Sequence, residues 1–309
     1  MICVERLTRL YGELRAVDDV SFDISHGEVV GLLGHNGAGK TTIMKMLTGF
    51  LEPTSGTIRV ENDEIGRDTR AIQARIGYLP ENCPLYPEMT VIDYLDYQAS
   101  LHGLAEDEKS GAIARAIRRT ALQDKAVQPI HTLSRGYRQR VGVAQAILHE
   151  PAIVILDEPT NGLDPTQILH MRELIRELAE SATVIVSTHI LQEVQAVCDR
   201  VLILRAGKLV VDERLDELRQ GRRLLVSVDG EAGDELAKVP GVAGLEARGM
   251  ANGRWVYALD ADEELAPQVA TTLVRAGRKL YNMQTEHRDL ETVFAEVNEL
   301  APVQEVAHA

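Results

Sequence analysis

A glycine-rich segment in the first third of the chain could bind a phosphate group. Residues 34–41 read Gly-His-Asn-Gly-Ala-Gly-Lys-Thr, which fits the pattern G-x-x-x-x-G-K-[ST] in full. The segment follows an apolar run at Val29–Leu33 and precedes a helical pattern that begins at Thr41. Glycines allow the backbone to curl around one anion, and the next helix adds the positive end of its dipole. We therefore expect Lys40 to neutralise the terminal phosphates of a nucleotide and Thr41 to complete a Mg²⁺ shell.

Two acidic residues end a second apolar run. Asp157 and Glu158 directly follow the strand-like segment Ile153–Leu156. Ligands of open parallel sheets bind at the carboxyl ends of the strands, so this pair is expected near the phosphate loop. We expect Asp157 to hold Mg²⁺ through its water shell and Glu158 to polarise the attacking water. Without the phosphate loop, the same pair could equally be two solvated acids at the end of a strand.

Two further side chains are weaker candidates when only their positions are considered. His189 follows the strand pattern Thr183–Ser187 and could reach the γ-phosphate, where it would hold Glu158 and water in line. A lone histidine is more often structural, so this role stays open on spacing alone. Tyr11 precedes the phosphate loop and could stack on a base, although an exposed aromatic residue is ordinary.

The composition limits the class of protein. The chain has 309 residues, 45% of them hydrophobic, and a formal charge of −14. This length favours one large domain plus a small one. No run approaches the roughly 18 apolar residues of a membrane-spanning helix, and no signal peptide is expected. The acidic balance disfavours non-specific nucleic-acid binding, and three widely spaced cysteines are typical of a reduced, cytosolic protein.

The pattern of elements predicts a large α/β domain over residues 1–220. Short β-branched runs alternate there with helical patterns, which indicates a parallel sheet covered by helices. A mostly helical stretch at about 88–150 interrupts the alternation, so we expect a helical subdomain inserted into the α/β core. Thr90 begins this stretch with the spacing of a capping box.

The last third of the chain predicts a separate small domain. Over residues 221–300 the order of elements is βαββαβ followed by one more helix, which suggests a split βαβ sandwich of the α+β class. Residues 301–309 are expected to be a frayed tail. An RNA-binding module can have the same order, but the glycine–aromatic pattern is missing and the segment is acidic, so a dimerisation or regulatory appendage is favoured.

A further motif sharpens this interpretation. Leu133–Arg140 reads Leu-Ser-Arg-Gly-Tyr-Arg-Gln-Arg, and it resembles the signature of the ATP-binding cassette (ABC) ATPases. The phosphate loop, Asp157–Thr160, Gly162–Pro165 and Ser187–His189 resemble the other defining motifs of that family, in the family's order. The resemblance covers about Val4–Arg219 and implies the P-loop NTPase fold of an ABC cassette.

The resemblance implies roles for residues within one subunit. Tyr11 is similar to the adenine-stacking aromatic residue, Glu158 to the catalytic carboxylate and His189 to the switch histidine. Asp157 and Thr41 would hold the metal. The nucleotide loop corresponds to Gly34, Asn36, Gly37, Ala38, Gly39, Lys40, Thr41 and Thr42.

Other implied roles involve a second subunit. Asp164 is similar to the aspartate of the loop that crosses the dimer interface. Ser134 and Gly136 match signature positions that, in the family, contact the γ-phosphate of ATP bound to the partner subunit. The resemblance therefore implies a head-to-tail homodimer with two competent sites.

The sequence departs from the family pattern at two positions. Glu81 stands where the family usually has the glutamine of the loop that faces the membrane subunit. It is kept as a metal candidate, although an ionised carboxylate cannot donate a hydrogen bond. Tyr137 replaces the usual last glutamine of the signature. Both departures resemble cassettes of gliding-motility and drug-efflux exporters, whose permease is a separate chain and which carry a similar C-terminal appendage.

The implied function is ATP hydrolysis that drives a separate integral-membrane permease, for export. The cofactors would be ATP and Mg²⁺, and the location would be the cytoplasmic face of the membrane, with no nucleic-acid partner. The ABC ATPases of DNA repair are disfavoured because no heptad pattern separates Lys40 from Ser134. Translation factors of the family carry two cassettes, and a GTPase would need an Asn-Lys-x-Asp motif, which the sequence lacks.

Overall fold

The computed structural model describes the chain over residues 1–220, 222–251, 253–287 and 290–299. The chain divides into two compact units, one over residues 1–213 and one that begins at Arg214. The tail that the sequence predicts at 301–309 lies outside the described residues. No helix in the described ranges combines the length and the apolar character needed to cross a membrane.

Two sheets and several helices form the first unit. Its strands are β1 (Ile2–Tyr11), β2 (Leu14–Ile24), β3 (Val29–Leu33), β4 (Ser55–Val60), β5 (Asp63–Glu64), β6 (Ile76–Leu79), β7 (Ile153–Asp157), β8 (Thr183–Thr188), β9 (Arg200–Arg205) and β10 (Lys208–Arg214). Its helices are α1 (Lys40–Leu47), α2 (Thr69–Gln73), α3 (Val91–Leu101), α4 (Glu106–Arg119), α5 (Arg135–Ile147), α6 (Pro165–Ala179) and α7 (Leu191–Val197).

The larger sheet positions the candidate site residues. Its strand order is β10-β9-β3-β8-β7-β6, and the neighbouring strands from β9 to β6 run parallel. Strands β3, β7 and β8 are buried along their whole length, as their continuous apolar runs require. The second sheet has the order β2-β1-β4-β5 with antiparallel pairs.

The two faces of the parallel sheet pack against different layers. Val154 and Leu156 belong to a core that includes the apolar sides of helices α3 to α6. Ile153 and Ile155, which alternate with them along β7, belong to a core shared with α1 and the antiparallel sheet. The phosphate-binding loop and helix α1 therefore lie on the Ile153–Ile155 side.

Helices α3, α4 and α5 form the predicted helical stretch. Helix α3 begins after Thr90, whose hydroxyl accepts a hydrogen bond from the backbone N–H of Asp93 at 3.2 Å. This is the N-cap that the sequence predicts. The three helices lie in sequence between strands β6 and β7, so the helical stretch is an insertion between two neighbouring strands of the parallel sheet.

The second unit contains an antiparallel sheet covered by helices. Its elements are α8 (Leu215–Gln220), β11 (Arg222–Val228), α9 (Gly233–Leu236), β12 (Gly244–Ala251), β13 (Arg254–Asp260), α10 (Ala266–Arg275), β14 (Leu280–His287) and α11 (Leu290–Glu299). The strand order is β12-β13-β11-β14. Strand β13 lies between β11 and β12, as in a split βαβ arrangement. Alternate residues Leu224, Val226 and Val228 pack with apolar residues of α9 and α10.

Candidate functional site

Four strand ends meet at one edge of the parallel sheet. The phosphate loop follows β3, Glu158 follows β7, His189 follows β8 and Glu81 lies two residues after β6. In register, Leu33 pairs with Thr188, and Asp157 pairs with Ser187. The carboxyl ends of parallel strands share an edge, so the topology brings these separate motifs together.

The phosphate loop requires glycine at its last turn. Gly39 has φ = 107°, and a Cβ atom there would lie 2.5 Å from the carbonyl oxygen of Ala16. Helix α1 begins at the next residue, with no side-chain cap at its N-terminus. The first N–H groups of a helix lack intrahelical acceptors, so they can bind an anion.

Lys40 lies at the mouth of this loop. Its side chain is buried, and Nζ donates a hydrogen bond to the carbonyl oxygen of Gly34 at 2.7 Å. The same ammonium lies 3.6 Å from Oε1 of Glu158. The buried positive charge therefore stands between the phosphate loop and the acidic end of β7, as the sequence predicts for a phosphate-neutralising lysine.

Asp157 is fully buried at the end of β7. Its Oδ1 accepts a hydrogen bond from the Ser187 hydroxyl, while its Oδ2 is buried and has no hydrogen-bond partner among the described residues. An unsatisfied buried carboxylate oxygen is unfavourable unless a cation or a polar ligand binds it. This oxygen is therefore a suitable acceptor for the shell of a metal ion.

The donors present fit Mg²⁺ bound together with a nucleotide. In the described part of the chain, no three or more His, Cys, Asp or Glu side chains are grouped to hold a metal ion by themselves. Mg²⁺ in nucleotide sites usually takes one or two protein oxygens and completes its octahedron with phosphates and waters. Asp157, Thr41 and Glu81 line one cavity of about 960 Å³, which is consistent with that coordination mode.

Glu158 is fixed by three groups. Its backbone N–H donates to the carbonyl oxygen of Ser187 at 3.1 Å, and its Oε2 lies 2.9 Å from Nδ1 of His189. The third group is Lys40, beside Oε1. Glu158 has φ = 49°, a left-handed conformation that costs free energy for a non-glycine residue and is concentrated at functional sites. The carboxylate is thus held in one position between a cation and an imidazole.

Tyr11 lines the same cavity as Thr41, Glu81 and Asp157, but its ring is only partly available for stacking on a base. Its ring is 46% exposed, and the guanidinium of Arg9 lies 4.8 Å from the ring centroid. The cavity also contains Tyr78, a tyrosine that precedes Glu81. Burial, followed by the negative charges of Asp157 and Glu81, raises the pKa of Tyr78. Its phenol therefore stays protonated at neutral pH.

The signature residues form a second cluster around the start of α6. Ser134 is the N-cap of α5, and its hydroxyl accepts from the backbone N–H of Tyr137. A Cβ atom on Gly136 would lie 2.3 Å from Oε1 of Gln167, so a larger residue there would displace the Gln167 side chain. Gln167 and Asp164 exchange the two hydrogen bonds of a capping box.

The structure thus separates the sequence-predicted residues into two groups. Lys40, Asp157, Glu158 and His189 lie together at the sheet edge, whereas Gly136 and Asp164 are joined through Gln167, and Ser134 caps the helix that contains Gly136. None of the contacts described for the second group, within the described chain, reaches the first group.

Sequence reasoning missed three residues of the site. Ser187 fixes both Asp157 and Glu158, Gln167 joins the signature glycine to Asp164, and Tyr78 lies in the cavity beside the metal candidates. Ser187 is the first residue of the Ser187–His189 motif, which was an available signal. Gln167 sits three residues after an aspartate, which is the spacing of a capping box. Nothing in the sequence marked the hydroxyl of Tyr78.

Comparison with known proteins identifies the class. The family of ABC transporter domains matches residues 17–161. The chain is 33% identical over 300 residues to the uncharacterized ABC transporter ATP-binding protein YxlF of Bacillus subtilis strain 168, covering 96% of this chain and 99% of that protein. It is 38% identical over 219 residues to the bacitracin transport ATP-binding protein BcrA of Bacillus licheniformis, covering 70% and 71% of the two chains.

Solved structures show the same fold. An ATP-binding subunit of an ABC transporter superimposes with a TM-score of 0.65 at 32% identity, over 71% of this chain and 92% of that one. The dimeric bacterial ABC transporter cassette MJ0796 gives a TM-score of 0.64 at 25% identity, over 70% and 99%. The chain belongs to the family of ABC transporter ATP-binding subunits. The predicted P-loop ATPase fold and the ATP-hydrolysing class are confirmed.

Proposed function

We propose that this ATPase subunit works as a homodimer that closes head-to-tail around two ATP molecules and drives a separate permease, with Mg²⁺ as cofactor. The observation that carries the proposal is the placement of Glu158 between Lys40 and His189, beside the unsatisfied oxygen of Asp157. Water activation and charge neutralisation are the two requirements of phosphoryl transfer to water, and this cluster contains a group for each.

Each residue of the cluster has a defined task in the proposal. The phosphate loop and Lys40 bind the phosphates, with Ala38 and Thr42 within the loop and helix start. Glu158 accepts a hydrogen bond from the attacking water and orients it, and His189 holds the Glu158 carboxylate in position. Thr41, Asp157 and Glu81 would hold Mg²⁺, which neutralises charge on the phosphates when it is bound.

The second cluster supports the dimer. Ser134 is exposed at the N-terminus of a 13-residue helix, where the dipole favours an anion. The MJ0796 cassette with the same fold is dimeric. In the proposal, Ser134 and Gly136 close over the γ-phosphate held by the partner subunit, and Asp164 crosses the interface. ATP would then favour the closed state because it contacts both subunits only there.

The names of two relatives support a proposal for the direction of transport. One matching protein is named for bacitracin transport and another, 35% identical over 211 residues, for linearmycin resistance. We infer export, with this chain at the cytoplasmic face of the membrane, held there by its permease. The second unit, which begins at Arg214, would serve as an accessory domain for dimer assembly or regulation.

Removal of the metal tests the proposed chemistry. We expect phosphate release from ATP by the purified chain to require Mg²⁺ and to stop when EDTA is added, because the phosphate charges would no longer be neutralised. The measurement is a continuous phosphate assay with Mg²⁺ added back after chelation. The same rate of phosphate release in EDTA would contradict the proposal.

A further inference from the structure

In the part of the chain that the structure describes, two buried oxygen atoms have no hydrogen-bond partner although their residues line the cavity that contains the metal candidates. These are Oδ2 of Asp157 and the hydroxyl oxygen of Tyr78, and neither has a hydrogen bond within the described residues. Buried polar groups are nearly always paired in native proteins. The ring nitrogens of His149, which lines the same cavity, are also unpaired within the described residues, but Tyr78 and Asp157 are on adjacent strands, so one bound group can pair with both oxygens.

The backbone places these two side chains on one face of the sheet. Strands β6 and β7 are parallel neighbours, and Tyr78 pairs with Ile155, which is two residues before Asp157. Side chains alternate along a strand, so Tyr78 and Asp157 both point toward the face that carries Ile153 and Ile155. The spacing of strands and of residues along a strand puts their Cα atoms about 8 Å apart. Because a tyrosine side chain is long, its hydroxyl can lie closer to the Asp157 carboxylate than the two Cα atoms lie to each other.

Tyr78 is held firmly in this position. Its ring packs against Phe50 with 5.9 Å between the centroids, and its backbone carbonyl accepts a hydrogen bond from Nε2 of Gln145 at 2.9 Å. The cavity that it lines is also lined by Thr41, Glu81 and Asp157. Tyr78 is therefore restrained in the cavity that the residues assigned to the metal also line.

The chemistry of a metal-bound water explains the pair. Such a water turns its oxygen toward the cation and so has two protons to donate, which require two acceptors. Asp157 Oδ2 is one, and the neutral phenol oxygen of Tyr78 can be the other.

We propose that Tyr78 is a positioning residue of the Mg²⁺ site, and that its hydroxyl oxygen and Asp157 Oδ2 together hold one water of the cation's shell. The inference rests on the proposed function, because it assumes that Mg²⁺ binds at Asp157. It adds a residue that phosphate-loop and acidic motifs do not contain.

The test uses the full chain and measures binding instead of turnover. A fluorescent, non-hydrolysable ATP analogue is titrated with Mg²⁺ for the wild type, Tyr78→Phe and Tyr94→Phe. Tyr94 is the matched control, because it is a buried tyrosine of the same cavity whose hydroxyl already bonds Cys83 and Gln98. Outer-shell groups of metal sites typically contribute ten- to a hundredfold to metal affinity.

We expect Tyr78→Phe to raise the half-saturating Mg²⁺ concentration about tenfold and to leave analogue affinity in EDTA unchanged. Tyr94→Phe should change neither. A wild-type Mg²⁺ requirement in Tyr78→Phe would overturn the inference but leave the proposed function intact. Equal weakening with and without Mg²⁺ would also overturn it, since that indicates a structural role. A wild type whose analogue binding ignores Mg²⁺ would instead refute the proposed metal site.

Discussion

Replacement of Glu158 by glutamine should slow ATP hydrolysis by about 10²–10⁴-fold and leave ATP binding intact. The amide keeps the size of the carboxylate and can keep the contact with His189, which is 2.9 Å away. It has no charge with which to polarise a water. Single-turnover phosphate release measures the chemical step, and equilibrium binding of ATP measures the retained affinity.

A buried glutamate outside the cluster provides the control for this variant. Glu193 is as buried as Glu158, and its carboxylate accepts a hydrogen bond from the Thr188 hydroxyl at 2.7 Å. Glu193→Gln should therefore hydrolyse ATP at nearly the wild-type rate. Wild-type hydrolysis by Glu158→Gln would show that Glu158 is not the group that activates water.

The second large effect is expected for Lys40→Ala, which should weaken ATP binding by about 100-fold. Removing a buried, charged hydrogen-bond donor costs roughly 3 kcal/mol, which corresponds to that factor. The loss would also leave Glu158 without the ammonium that lies 3.6 Å from its Oε1. Isothermal titration with ATP and Mg²⁺ gives the affinity directly.

An exposed lysine of the same unit serves as the control, because its replacement removes a positive charge without removing a phosphate-binding group. Lys208 is 65% exposed and pairs with Asp18 at 3.4 Å. Because a surface ion pair contributes little, Lys208→Ala should bind ATP as the wild type does. If Lys40→Ala kept the wild-type affinity, the phosphate-cradle account of residues 34–41 would be wrong.

Much of the first unit could be predicted because its chemistry is local in sequence. The pattern at residues 34–41 carries its own strand and helix context, and the apolar runs of β3, β7 and β8 match the strands closely. Parallel strands share an edge, so the positions of Asp157, Glu158 and His189 directly after apolar runs were enough to place them near the phosphate loop.

The remaining features depend on packing between distant segments. Ser187 reaches Asp157 and Glu158 across about thirty residues of sequence, and the Gln167 side chain of another helix fills the space beside Gly136. The left-handed backbone of Glu158 likewise has no sequence signal, because glutamate rarely adopts it. Hydrophobic periodicity places elements, but it does not report which side chains meet across them.

The second unit shows the same division. The alternation of apolar residues predicted its order of strands and helices, and β11 to β14 follow that order. That order also predicted the split βαβ arrangement, in which β11 pairs with both β13 and β14. The register of those pairs could not be predicted, because it depends on how the strands align across the sheet.

The most direct test of the central claim mixes two inactive variants. Lys40→Ala removes the phosphate grip, and Ser134→Asp places a repelling charge at the signature while keeping a good N-cap for α5. A mixed dimer closed head-to-tail would contain one intact site and one site with both defects.

A 1:1 mixture should therefore recover about one quarter of the wild-type ATPase activity, because half of the dimers are mixed and each has one intact site of two. Each variant alone should remain inactive. If the mixture stays inactive under conditions where mixed dimers form, the two halves of a site do not come from different subunits and the head-to-tail account fails.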